Sequence, residues 1–308
     1  MEIYFVLETI GFIILVFVGI PWNIFVLVRF AYIRKLEKKL LPTNTILVAL
    51  SFINLLVLLS RVFPQTLDAV GLENLLNDIQ CKLIIYTYRV SRAMSICLTS
   101  LLSCHQCILI APVTGKWKYL KQIVNPNVSL IMMLLLGMNM ALYPSSILYG
   151  QSKSNTTHSP YTLHLVYCDV DFLNYVSYTI NGLVSVVREI IFVSLMTMSS
   201  SYMLVVLYWH AESMKGVRSS AKAQTKTAEY KASRAVLLLV VLYVLLFGMD
   251  NTTWIYTLTM TNVKQEVSDT RLFLAASYAV MSPIVIFVTN PKLHQNFTIP
   301  CMRGMFCA

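Results

Sequence analysis

The chain has 308 residues, of which 57% are hydrophobic and only 12% are charged. Soluble domains are usually about 45–50% apolar and about 25% charged, so this composition excludes an ordinary soluble domain, a disordered tail and a coiled coil. The formal net charge of +10 is carried by basic residues in loops between long apolar runs, so we expect a polytopic membrane protein and no nucleic-acid partner.

Seven apolar runs are long enough to cross a bilayer as helices, since a hydrocarbon layer of ~30 Å needs about 20 helical residues. Barrel strands would be about 10 residues long and would alternate in polarity. The predicted spans are 4–30, 45–65, 82–110, 128–149, 175–209, 235–260 and 270–289. We expect a single all-α domain over residues 1–308, a seven-transmembrane helix bundle.

Lysine and arginine concentrate in the connections after spans one, three and five, whereas the other connections carry mainly acids. Cytoplasmic loops of membrane proteins are enriched in Lys and Arg. The pattern therefore predicts a multi-pass protein with its N-terminus outside and its C-terminus in the cytoplasm. Attraction to lipid headgroups is an alternative role for the basic connection after span five.

Only two of the seven cysteines, Cys81 and Cys168, fall on the predicted outer side. Oxidising conditions there permit a disulfide that ties the top of span three to the loop before span five. Two unpaired thiols are the alternative. The same topology leaves Asn155 as the one N-x-[ST] sequon that can meet the glycosylation machinery, so we predict a glycan there.

Ionisable residues inside a membrane span are costly and by default mark a functional site. The predicted spans contain Arg61, Arg89, Arg92, Arg188, Glu189 and Asp250. Arg61 lies near a span end, where its side chain can extend to the headgroups. Arg89 and Arg92 lie deeper, and their spacing of three residues places them on one helix face.

Among the six residues named above, four arginines outnumber two acids, which predicts a site that takes up water or a negatively charged ligand. The arginine side chain binds a carboxylate or a sulfate through two parallel hydrogen bonds. Aromatic residues predicted at similar depth would form the apolar walls of a small-molecule site. They are Tyr86, Tyr88, Trp254 and Tyr278. The alternative is purely structural pairing of the arginines with Glu189 and Asp250.

The sequence lacks the motifs of serine hydrolases, zinc proteases and nucleotide-binding loops. Cys104, His105 and Cys107 lie together in span three, but adjacent helical residues point about 100° apart and make a poor metal cage. We therefore expect no enzymatic activity, no cofactor and no metal site.

Three segments carry a family resemblance. Span two contains SFINLLVLLSRVFPQTLDAVGL, span three reads CKLIIYTYRVSRAMSICLTSLLSCHQCILIAP, and span five contains REIIFVSLM. With seven spans and a basic third inner connection, these segments resemble the vomeronasal type-1 receptors, a family of G-protein-coupled receptors called olfactory receptor class A-like in fishes. Arg89, Arg92 and Ser95 match the family pattern, and Arg188 with Glu189 matches an arginine–acid pair. The resemblance covers about residues 20–290.

The resemblance implies a chemosensory receptor. A pheromone or odorant would enter from outside between spans three, five, six and seven, and would shift the population of helix arrangements. The inner ends would then open for a heterotrimeric G protein. The residues expected to face it are His105, Gln106, Lys215, Arg218 and Lys222.

Two departures from rhodopsin-like receptors affect the expected mechanism. Where those receptors carry Asp-Arg-Tyr at the end of span three, this chain has His105-Gln106-Cys107, and where they carry an acid in span two it has Asn54. The usual arginine lock and sodium site are therefore in doubt here.

Two other classes of protein remain as alternatives. Bitter-taste receptors are also short and lack Asp-Arg-Tyr, although they generally lack a bridge of the Cys81–Cys168 type. A transporter or channel would instead predict substrate-dependent flux or current, and preferably repeat symmetry, but no internal repeat is visible in the sequence.

Overall fold

A computed structural model gives the fold. It describes residues 2–38, 40–71, 76–111, 115–152, 162–164, 168–171, 174–214, 236–246, 248–250, 252–253, 265–290 and 293. The helices are α1 (Glu2–Glu37), α2 (Pro42–Val57), α3 (Phe63–Ala69), α4 (Asp78–Ile110), α5 (Gly115–Leu142), α6 (Pro144–Tyr149), α7 (Tyr175–Met214), α8 (Val236–Asp250) and α9 (Gln265–Thr289). A π-helix (Leu58–Val62) joins α2 to α3.

The helices confirm the predicted all-α bundle. Within the described residues, six helical stretches are long and apolar enough to cross a membrane, and α8 is a shorter seventh. The predicted sixth span continues to residue 260, which lies outside the described residues. The protein is thus a multi-pass membrane protein.

The fourth predicted span has different bounds in the structure. Helix α5 begins at Gly115 rather than near residue 128, so the stretch expected as an inner connection is helical. Helix α5 ends at Leu142 because Pro144 disfavours the α conformation in Tyr143, the residue before it. Helix α6 then continues from Pro144, which occupies the first turn, where its missing N–H costs nothing.

Helix α4 forms the centre of the bundle. In its most apolar stretch 78% of the residues are buried, against 11% in the corresponding stretch of α5. Small hydroxyl residues recur every four positions along α4, and all of them are buried. They are Ser91, Ser95, Thr99 and Ser103. Small side chains let neighbouring helices approach closely, and hydroxyl groups can bond across the interface.

The outer helices expose apolar side chains such as Phe17 of α1, Met133 and Leu134 of α5, and Met198 of α7. A soluble protein rarely presents such extensive apolar surface. In a bilayer these side chains meet lipid, and each helix satisfies its own backbone hydrogen bonds.

Helix α1 packs closely against α9 and the π-helix. At Gly19 a Cβ atom would lie 2.7 Å from Leu58 Cδ1 and 2.8 Å from Val280 Cγ2, which explains the absence of a side chain. The fully buried Asn23 donates through Nδ2 to the carbonyl oxygens of Gly19 at 2.8 Å and Ala279 at 3.0 Å. One amide thus joins the two helices.

The π-helix in span two follows from Pro64. Proline has no N–H to donate to the carbonyl of the residue four positions earlier, Ser60, so the regular α pattern cannot continue through this point. Phe63 instead donates its backbone N–H to the carbonyl of Leu58, five residues back. The wider turn changes the direction of the side chains within it, including Arg61.

A small antiparallel sheet, which the sequence did not predict, lies in the connection between α6 and α7. Its strands β1 (Gly150–Ser152), β2 (Thr162–His164) and β3 (Cys168–Asp171) are ordered β1-β3-β2. Cys168 of β3 forms a disulfide with Cys81 in the first turns of α4, with their Cα atoms 5.9 Å apart. Both cysteines are fully buried, so the disulfide joins the sheet to the end of the central helix.

Candidate functional site

An ion pair joins α4 to α8 inside the bundle. Arg92 Nη2 donates to Asp250 Oδ2 at 2.5 Å. The Asp250 side chain is 5% exposed and that of Arg92 is 29% exposed. A carboxylate removed from water needs a positive partner and hydrogen bonds to offset its lost hydration. The structure therefore pairs one predicted arginine with one predicted acid across two helices.

Tyr88 links this pair to span two. Arg92 Nη1 donates to the Tyr88 hydroxyl at 3.2 Å, one helical turn earlier. The guanidinium carbon of Arg61 lies 5.7 Å from the centre of the Tyr88 ring, within reach of a cation–π interaction. Arg61 is buried, so its side chain does not extend to the headgroups as the sequence allowed. The π-helix instead brings it into the cluster.

Arg89 contacts a different helix from Arg92. Its Nη1 donates to the side-chain oxygen of Asn181 on α7 at 3.2 Å. Asn181 was not predicted as a site residue, although a polar amide within an apolar run was an available signal. The two arginines share a face of α4, as predicted, but one bonds to α7 and the other to α8.

A second arginine–acid pair lies within α7. Arg188 Nη2 donates to Glu189 Oε1 at 3.3 Å, and Arg188 Nη1 donates to the hydroxyl of Tyr143 at the break between α5 and α6. Both charged side chains are largely buried. This arrangement accounts for the adjacent arginine and acid in span five.

Among the charged residues described above, arginines outnumber acids. Arg61, Arg89, Arg92 and Arg188 carry four guanidinium groups, while Glu189 and Asp250 supply two carboxylates. Coulomb interactions are stronger and less screened in this low-dielectric region than in water.

A cavity of about 40 Å³ lies beside the Arg92–Asp250 pair. Its polar lining also includes Tyr243 and Tyr278, whose rings meet edge to face with centroids 4.9 Å apart. Roughly 10–15 Å³ suffices for one water molecule, whereas small-molecule pockets usually measure about 300–1,000 Å³. The cavity is therefore large enough for water and much smaller than a usual small-molecule pocket.

A neutral hydrogen-bond network borders the same cavity. Ser95 Oγ donates to Asn54 Oδ1 at 2.8 Å, and Asn54 Nδ2 donates to Ser282 Oγ at 2.8 Å. The network joins α4, α2 and α9, and all three residues are buried. Asn54 thus makes neutral contacts at the position where rhodopsin-like receptors carry an acid. The sequence singled out Asn54 and Ser95 without indicating that they meet.

Tyr86 lies at the edge of the arginine cluster, beside the Tyr143 side chain that bonds to Arg188. Its hydroxyl donates to the carbonyl of Met140 at 3.1 Å, and its ring packs with Val90 and Tyr143 between α4 and α5. Its contacts are those of a packing residue. Other predicted residues lie outside the described part of the chain, namely Trp254, Asn155, Lys215, Arg218 and Lys222.

His105 and Gln106 are buried rather than presented at the inner surface. His105 Nδ1 lies 3.4 Å from Thr43 Oγ1, and its Nε2 lies 3.1 Å from Asn125 Oδ1. Gln106 Nε2 donates to the same Thr43 hydroxyl at 3.2 Å. Both side chains join the ends of α2, α4 and α5, so in this conformation neither is available to a G protein. Sequence spacing could not show this because burial depends on neighbouring helices.

The cysteines beside His105 do not converge on it. Cys104 Sγ lies 3.2 Å from Ser199 Oγ on α7, whereas the imidazole contacts α2 and α5. Among the residues that the structure describes, no three His, Cys, Asp or Glu side chains are grouped to hold a metal ion.

Comparison with known proteins decides the family. Residues 8–299 match the model of the vomeronasal organ pheromone receptor family. The chain belongs to this family. It is 38% identical over 298 residues to olfactory receptor class A-like protein 1 of Danio rerio, a match that covers 95% of this chain and 92% of that protein.

Mammalian vomeronasal receptors are similar over nearly the same length. Identity is 26% to vomeronasal type-1 receptor 3 of Homo sapiens, covering 96% of this chain and 95% of that receptor. It is 29% to vomeronasal type-1 receptor 43 of Mus musculus, covering 91% of this chain and 84% of that receptor. As a member of the vomeronasal receptor family, this chain is a chemosensory G-protein-coupled receptor of the plasma membrane.

Proposed function

We propose that this receptor detects a small organic anion, a carboxylate or a sulfate, that enters from the extracellular side between α4, α7, α8 and α9. Arg89 and Arg92 bind the acid group, and the bound receptor activates a heterotrimeric G protein. The N-terminus is extracellular, and the disulfide and sheet lie at the ligand entrance. The observation that carries the proposal is that four arginines, Arg61, Arg89, Arg92 and Arg188, are grouped with only two acids, Glu189 and Asp250.

The contacts of Arg89 support this role. The Asn181 side-chain oxygen, to which it donates at 3.2 Å, is a neutral acceptor. A carboxylate or sulfate forms stronger, charge-assisted hydrogen bonds to a guanidinium than an amide oxygen does. An incoming anion therefore has an electrostatic advantage over Asn181. Arg92, with 29% of its side chain exposed, is partly accessible on the same face.

The small cavity supports coupling of binding to a change in shape. A volume of about 40 Å³ cannot accept an organic anion without separation of the helices around it. A ligand that binds only the wider arrangement shifts the population toward that arrangement by its difference in affinity. Tyr88, Tyr243 and Tyr278 would then provide apolar contacts for the body of the ligand.

The test is a ligand screen in cells that express the receptor with a promiscuous G protein. The panel contains aromatic carboxylates, sulfated molecules and bile-acid-like molecules, each with its neutral amide or alcohol counterpart. We expect responses to the anions only, and a loss of at least tenfold in potency in Arg89→Gln at unchanged surface level. Arg89→Lys retains the charge and should keep part of the response.

Arg34→Gln is the matched control, because Arg34 is exposed at the end of α1 away from the cluster. It should leave potency unchanged. Equal responses to the anions and their neutral counterparts would contradict the proposal, as would full potency in Arg89→Gln.

A further inference from the structure

The Arg92–Asp250 pair joins α4 to α8, and the Asp250 side chain is almost fully buried. The 2.5 Å contact runs from one guanidinium nitrogen to one carboxylate oxygen, while the other terminal nitrogen of Arg92 donates to Tyr88. Asp250 therefore binds Arg92 through a single oxygen. An arginine side chain offers five N–H donors in a planar fork, and two parallel bonds to one acid group make a stronger contact than one.

Arg92 thus already has a negative partner within the protein. Any external anion that binds Arg92 must share it with the Asp250 carboxylate or replace it. Sharing places two negative charges beside one another in a low-dielectric site, which is unfavourable. Replacement by a ligand with two acceptor oxygens turns a single-oxygen contact into a two-oxygen contact.

The cavity beside the pair makes replacement feasible. A carboxylate released into a dry core would lose its stabilisation, because an unpaired buried charge is strongly destabilising. Asp250 itself lines the cavity of about 40 Å³, together with the polar side chains of Asn54, Ser95 and Tyr243. This volume is large enough for a water molecule, and the lining offers several polar partners. A released Asp250 carboxylate would therefore meet water and polar groups rather than hydrocarbon.

We propose that Asp250 competes with the ligand for Arg92. The acid group of the ligand replaces the Asp250 carboxylate on Arg92 and so breaks the ion pair between α4 and α8. This inference rests on the proposed function, since it requires an anionic ligand. Asp250 then has two effects. First, Asp250 lowers the affinity of the receptor for every anion, so ligands with two acceptor oxygens in one plane are favoured. Second, its contact with Arg92 holds the unliganded receptor in its resting helix arrangement.

The first experiment measures signalling without ligand. Asp250→Asn removes the competing charge and weakens the contact between the helices, so we expect basal G-protein signalling to rise several-fold at equal surface level. Arg92→Gln breaks the same contact and should also raise basal signalling. Glu37→Gln is the matched control, because Glu37 is an exposed carboxylate at the end of α1. Unchanged basal signalling in both variants at normal surface level would show that the Arg92–Asp250 pair does not hold the receptor in its resting arrangement.

A charge exchange covers the case in which the single variants fail to reach the surface. The double variant Arg92→Asp with Asp250→Arg restores an opposite pair across the same two helices. We expect it to recover surface level and low basal signalling relative to Arg92→Asp alone. If the double variant recovers neither property, the proposed role of the ion pair between α4 and α8 is contradicted.

The second experiment measures competition with benzoate and phenyl sulfate as probes. We expect Asp250→Asn to respond at concentrations at least tenfold lower than the unmodified receptor. One outcome is that the unmodified receptor responds to the anions while Arg89→Gln does not, which supports the proposed function. If Asp250→Asn then responds at the same concentrations as the unmodified receptor, Asp250 does not compete with the ligand. If no variant responds to either anion but neutral odorants activate the receptor, the proposed function fails and the competition fails with it.

Discussion

Two polar clusters of this receptor differ in chemistry. The outer cluster, which we name for the predicted orientation, consists of Arg61, Arg89, Arg92, Asp250 and the Arg188–Glu189 pair, so it is built from charged groups. The inner cluster consists of Thr43, His105, Gln106 and Asn125, joined by hydrogen bonds of 3.1 to 3.4 Å. Both are largely buried within the helix bundle.

The difference indicates what each cluster can do. Charges in a low-dielectric site interact strongly and respond to any further charge that enters. The groups of the inner cluster already have hydrogen-bond partners, and buried polar groups with partners chiefly hold structure together. The outer cluster is therefore suited to sensing an anion, and the inner cluster to holding the inner helix ends together.

The disulfide that closes the outer end should have the largest effect on stability. Cys81 and Cys168 are 87 residues apart, and closing a loop of that length stabilises a fold by about 4.6 kcal/mol in the chain-entropy model. We expect Cys81→Ser and Cys168→Ser to lose most surface receptor, measured by labelling of intact cells. Cys104→Ala, which removes a free thiol near the inner end, is the control. Normal surface levels in both serine variants would show that the receptor folds without this disulfide.

Removal of His105 should have a smaller effect that is confined to stability. His105→Ala removes a hydrogen-bond partner of the half-buried Thr43 and Asn125, and the loss of one such hydrogen bond costs about 1 kcal/mol. We expect a lower melting temperature of the purified receptor, with ligand potency changed less than threefold. His105→Gln retains a donor and an acceptor and should recover part of the loss. If His105→Ala changed ligand potency tenfold at a normal melting temperature, the inner cluster would affect ligand response as well as stability, contrary to this comparison.

Loss of the predicted glycan should leave both clusters intact and tests which end of the bundle is outer. Asn155 is expected on the same side as the disulfide-linked sheet. Asn155→Gln should remove the shift in gel mobility that a glycosidase produces, with no change in potency. Asn127→Gln, at the predicted inner end of α5, should leave the shift in place. A glycan that persists in Asn155→Gln would reverse or revise the orientation.

Apolar length explains why much of the fold could be predicted. A run of about 20 apolar residues is a local property that lipid turns into a helix, so the seven spans needed no information about neighbours. The outer cysteine pair followed from topology alone. The break at Tyr143 and the π-helix at Leu58–Val62 were missed, although Pro144 and Pro64 are visible in the sequence. A proline signals a disturbance without stating which form it takes.

The sequence by itself determined how many helices cross the membrane, which of them carry charge, and that the positive groups outnumber the negative ones. Only the tertiary structure decided that Arg92 takes Asp250, that Arg89 contacts Asn181, and that His105 turns inward to Thr43 and Asn125. The physical reason is that the composition and length of an apolar run determine whether that one segment forms a membrane-spanning helix. The choice of partner depends on the rotation and depth of two helices relative to each other, which their packing sets.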